Sequence, residues 1–77
     1  MTAAYIFVQF GSAEDPDGIL SAIREIAGVK QAHALLGPLD IIAFVEVEDV
    51  EALGDTVMAI RAVDGVTSSD IRLAWPI

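Results

Sequence analysis

A chain of 77 residues without cysteine is a single domain near the low end of sizes that hold a core unaided, and no disulfide or thiolate metal site can staple it. Apolar residues make up 55% and charged residues 21%, a balance that excludes disorder and offers more surface for burial than one small monomer uses. The net charge is −8 and the four basic residues are spread at Arg24, Lys30, Arg61 and Arg72, which argues against a cationic face and hence against direct binding of DNA or RNA. No apolar run reaches spanning length and Met1-Thr2-Ala3-Ala4 has no basic region, so neither a membrane segment nor a signal peptide is expected, and the cytoplasm is the expected location.

The first predicted element is a strand from Ala3 to Phe10, rich in aromatic and β-branched residues and ended by Gly11-Ser12. Its two alternating sets, Tyr5/Phe7/Gln9 and Ile6/Val8/Phe10, are both mainly apolar. Asp15-Pro16 then reads as a cap followed by a proline suited to a first helical turn. The helix runs to about Ala27 with Ile19, Leu20, Ile23 and Ile26 on one stripe, and Gly28 stops it. A second strand covers Val29 to Leu36, with Val29, Gln31, His33 and Leu35 on one face and Lys30, Ala32, Ala34 and Leu36 on the other. The Gly37-Pro38 turn is short enough to make the next strand its antiparallel neighbour.

That third strand, Ile41 to Val47, carries Ile41, Ala43, Val45 and Val47 on one side and Ile42 and Phe44 on the other, with only Glu46 breaking the second set. A strand greasy on both faces needs a cover on both. Asp49 caps a second helix whose buried stripe is Val50, Leu53, Val57 and Ile60, and Gly65 follows it as Gly28 follows the first. The last strand, Val66 to about Trp75, is closed by Pro76.

An internal echo links Ile23-Arg24-Glu25-Ile26-Ala27-Gly28-Val29 with Ile60-Arg61-Ala62-Val63-Asp64-Gly65-Val66. Two β-α-β units in tandem predict an α+β, ferredoxin-like βαββαβ fold, a four-stranded antiparallel sheet with both helices on one face. The apolar residues left on the other face predict a second copy packed there by a two-fold axis, a dimeric α/β barrel.

Candidates for chemistry are few. His33 is the only histidine and has no nucleophile arranged with it; a histidine facing a dimer cavity could ligate haem or act as a base, and the plainer reading is a partly buried or interface residue. The acids Glu46, Glu48, Asp49, Glu51 and Asp55 lack a calcium-loop pattern and suit a helix N-terminal region, so no metal is expected. No phosphate-cradling glycine loop is present. Trp75 and Tyr5 suit core or interface packing. Asp40 braces its turn by bonding backbone amides or, more sharply, fixes a loop that holds the ammonium and carboxylate of a small zwitterion.

Gly28-Val29, then Gly37-Pro38-Leu39-Asp40 opening an apolar strand, then Gly65-Val66 before a final strand, together resemble the effector-binding regulatory domain of the Lrp/AsnC transcription regulators. The resemblance covers essentially the whole chain. With the first strand beginning beside Met1, it is similar to stand-alone members without the helix-turn-helix domain. It implies a homodimer, four of which join into an octameric ring, an amino-acid effector bound where dimers meet, no cofactor, and mixed assembly with a full-length Lrp/AsnC regulator. By position it implies that Gly37, Leu39 and Asp40 line the effector site. It also implies two hydroxyl residues spaced by one in the last strand; Ser69 matches the first, and Ile71 replaces the second. The reading is thus a non-enzymatic amino-acid-binding and oligomerisation module acting in transcription regulation. The alternatives are a dimeric α/β-barrel oxygenase or isomerase using His33, and an ACT-type module with Gly11 at its ligand-contacting position.

Overall fold

The computed structural model describes residues 1–11, 15–35 and 40–75. Six elements follow in the order β1 (Thr2–Phe10), α1 (Pro16–Arg24), β2 (Val29–Ala34), β3 (Asp40–Val47), α2 (Val50–Arg61) and β4 (Val66–Leu73). The strands form a four-stranded sheet in the order β2-β3-β1-β4, and every neighbouring pair is antiparallel. This is the ferredoxin-like α+β arrangement expected from the tandem β-α-β pattern, with the two most apolar strands, β1 and β3, at its centre.

Both helices lie on one side of the sheet. Ile19 and Ile23 of α1 and Leu53, Val57 and Ile60 of α2 share one core with Ala4, Ile6, Val8 and Phe10 of β1 and Ile41, Ala43 and Val45 of β3. The helices begin where the capping residues direct. The Asp15 carboxylate accepts the Asp17 N–H at 3.2 Å, with Pro16 in the first turn, and the Asp49 carboxylate accepts the Ala52 N–H at 2.8 Å.

α1 ends at Arg24, three residues short of the expected Ala27, because the backbone tightens there: Ile26 N–H bonds the Ile23 carbonyl and Val29 N–H the Ile26 carbonyl. The same pair of bonds, Val63 N–H to Ile60 and Val66 N–H to Val63, closes α2, so the internal echo is one joint built twice. Gly28 and Gly65 both turn it at φ 96°. At the first joint space is tight as well as conformation, since a Cβ on Gly28 would lie 2.7 Å from Val47 Cγ1 and 2.8 Å from Thr56 Oγ1. Thr56, buried in α2, fastens this joint by donating to the Ala27 carbonyl at 3.0 Å.

β2 departs from simple alternation. Its register shifts between Val29 and Gln31, so Val29 sits opposite Val45 and packs on the core, while Gln31 and His33 sit opposite Phe44 and Ile42 on the helix-free face. The bulge lets Val29 reach the core without turning Gln31 and His33 inward with it. β4 ends at Leu73 rather than near Trp75, and Trp75 is 90% exposed, which removes it from the core of this chain.

Across the helix-free face the centre is apolar and the margins are polar. Tyr5 and Phe7 are 45% and 40% exposed. Ile42 and Phe44 are half-buried beside them, the Tyr5 and Phe44 rings lying 5.1 Å apart at 46°. Gln31 and His33 on β2 and Asp70 and Arg72 on β4 flank this stripe.

Candidate functional site

The register assigns each candidate residue to a face. Asp40, the first residue of β3, stands opposite Gln9 of β1, and Gln9 stands opposite Ser68 of β4. These three share the helix-free face, because directly opposed residues of antiparallel strands point the same way. The Ser68 hydroxyl donates to Gln9 Oε1 at 2.9 Å, and the Asp40 carbonyl accepts the Leu35 N–H at 3.1 Å. The result is a polar row across one end of the apolar stripe. It offers a half-buried carboxylate and an amide group, a set able to meet an ammonium and neighbouring polar atoms of a small ligand.

Gly37 and Leu39 lie outside the described residues. Ser69 lies elsewhere: it stands opposite Val8, on the helix side, where Arg61 Nε of α2 donates to its Oγ at 2.8 Å. Both groups border an open groove of about 330 Å³ along the edge strand β4. Ile71, in the second of the two expected hydroxyl positions, stands opposite Ile6 and packs against the core. Within one chain the fold therefore does not bring Asp40 and Ser69 together; β1 separates them and they face opposite ways.

Gln9 and Ser68 are absent from the sequence-derived set. Gln9 has a visible signal, as the polar residue interrupting an otherwise apolar alternation in β1. Ser68 has none, since choosing between two adjacent serines requires the register of β4, which shifts where Phe10 meets Val66.

His33 occupies the next row of the same face, with Ile42, Phe7 and Asp70. The Asp70 carboxylate is taken by Arg72 at 2.7 Å on the opposite margin of the sheet. Among the described residues, no three of the His, Cys, Asp and Glu side chains gather as a metal-ligating group, and no helix is long and apolar enough to cross a membrane.

The same fold is found in solved structures of other proteins. TTHA0845 from Thermus thermophilus superposes with a TM-score of 0.88 at 27% identity, over 100% of this chain and 96% of that one. AsnC of E. coli superposes with a TM-score of 0.85 at 22% identity, over 99% of this chain and 53% of that one. The feast or famine regulatory protein of M. tuberculosis, complexed with L-methionine, gives 0.81 at 18% identity, over 100% of this chain and 52% of that one. This chain thus spans about half the length of the latter two, and the likeness to them is one of fold. No curated protein matches the chain. The family model of the Lrp/AsnC ligand binding domain matches residues 3–74, through all six elements, and the chain belongs to that family.

Proposed function

We propose that this chain is a non-enzymatic effector-binding and oligomerisation module, that its effector is an amino acid, and that it acts on transcription by assembling with full-length regulators of its family. Its working unit is at least a homodimer formed through the helix-free face, and four dimers in a ring complete the effector sites. The observation that carries this reading is the position of Asp40, at the end of a sheet face whose apolar centre has no covering element among the described residues. The family match and the L-methionine complex of the M. tuberculosis regulator support an amino acid as the class of effector.

The opposite facing of Asp40 and Ser69 fits a pocket shared between copies. In such a pocket the Gly37 to Asp40 turn of one copy supplies Gly37, Leu39 and Asp40, and a neighbouring copy presents the groove that holds Ser69. Effector binding then stabilises whichever assembly completes the pocket, by about 2.7 kcal/mol at a ligand concentration one hundred times the dissociation constant. Thermal denaturation in the presence of each of the twenty amino acids at millimolar concentration, with mass measured by light scattering, tests this. One amino acid or a chemically related few should raise the midpoint, and Asp40→Ala should abolish the rise. A flat response throughout, from a protein with the mass of one chain, would overturn the reading.

A further inference from the structure

The basic residues, scattered in the sequence, are partly gathered by the fold. An open groove of about 420 Å³ along the free edge of β2 is lined by Arg24, Val29, Lys30, Gln31, Ala32 and His33. Among the described residues every titratable group in that lining is basic, in a chain of net charge −8: it holds two of the four Lys and Arg residues and the single histidine. Among the described residues, neither Asp40 nor Ser69 lines it, so the groove draws on different side chains from those two.

We propose that this groove binds the oxyanion of a small molecule, a carboxylate or a phosphate group. Arg24 is the anchor. It reaches from α1 to the sheet edge, and its Nε donates to the Ala32 carbonyl at 2.9 Å, which fixes the plane of the guanidinium. Among the described residues the terminal nitrogens of Arg24 carry no hydrogen bond, and neither Arg24 nor Lys30 is ion-paired; the Arg72–Asp70 pair lies at the far edge. A guanidinium held by Nε presents its terminal amino groups as a fork matched to two oxygens of a carboxylate or phosphate. Lys30 adds a point charge from the β2 bulge, and His33 adds a ring nitrogen from the other side of the strand. Lys30 also borders the neighbouring groove of Glu46 and Glu48, so its charge is shared and Arg24 carries more of the recognition. In an acidic protein the long-range field opposes an approaching anion, so the binding is weak and sensitive to salt.

Titration of the ¹⁵N-labelled protein with inorganic phosphate and, separately, with succinate, against sodium chloride at matched ionic strength, tests the proposal by NMR. Saturable shifts of the Lys30 to His33 amides and of the Arg24 Nε–H signal are expected. Saturation by phosphate alone assigns a phosphoryl ligand, saturation by succinate alone a carboxylate, and either supports the site. Lys30→Gln should weaken binding roughly threefold, as expected for one exposed charge. Arg24→Lys keeps the charge but loses the fork and should weaken it more, while shifts in β1 and β4 remain unchanged and report an intact fold. Shifts that follow ionic strength alone, or that saturate identically in both variants, would overturn the proposal and leave the basic edge as a guard against pairing with other strands. The outcome does not depend on whether amino acids bind near Asp40.

Discussion

The two faces of the sheet are built from the same two central strands and have opposite fates. On one, Ile6, Val8, Ile41 and Val45 are fully buried under Ile23 and Ile60. On the other, Tyr5, Phe7, Ile42 and Phe44, no less apolar, have no covering element among the described residues. At the centre of the sheet side-chain chemistry does not separate the two faces, and the helices do; only towards the strand ends does the uncovered face turn polar, at Gln9, Asp40 and Glu46. Since complete burial of one such side chain is worth about 1.5–3 kcal/mol, the uncovered face is a store of association energy placed opposite the core. The polar margins at Gln31, His33, Asp70 and Arg72 confine it to the centre.

Substitutions that treat the two faces separately break this comparison or sharpen it. On the covered face Ile60→Ala should cost about 2–5 kcal/mol, seen as a large fall in the urea midpoint, because a fully buried side chain leaves a cavity. At the joint that seats α1 on the sheet, Gly28→Ala should cost about 1–3 kcal/mol, from positive φ and the contacts with Val47 and Thr56 together. Gly54, exposed on α2 with nothing within 4 Å of where an added methyl would stand, is the control: Gly54→Ala should stabilise the fold by about 0.5–1 kcal/mol and raise the midpoint accordingly. On the uncovered face Phe7→Ser should cost the folded chain about 1–2 kcal/mol, since the ring is only 40% exposed, and should also lower the mass seen by light scattering at micromolar concentration. A mass unchanged by that variant would move the association surface elsewhere. The smallest effect belongs to the margin: Asp70→Asn breaks an ion pair whose side chains are 67% and 60% exposed, and should change stability by less than about 0.5 kcal/mol.

Much of the fold is legible in the sequence because its signals are local. Asp15-Pro16, Asp49, Gly28 and Gly65 act within one turn of themselves, and the alternation in β1 and β3 needs only a period of two. Sequence and structure part where a distant partner intervenes. Simple alternation puts Val29 on the face of Gln31 and His33, and the bulge against β3 moves it to the core. The site is less legible than the fold for the same reason. Asp40 is marked by its turn, whereas its neighbours Gln9 and Ser68 come from strands far away in sequence, and Arg24 meets Ala32 only after α1 has docked.

The amino-acid sequence by itself determined the order of strands and helices, their caps and joints, and a surplus of apolar residues that two helices cannot cover, since each depends on neighbours along the chain. Tertiary structure alone decided that Asp40 and Ser69 look in opposite directions, that Ile71 packs against the core, and that Arg24, Lys30 and His33 share one groove. Those relations rest on strand register and helix docking, and a shift of one residue in either would carry a side chain to the other face.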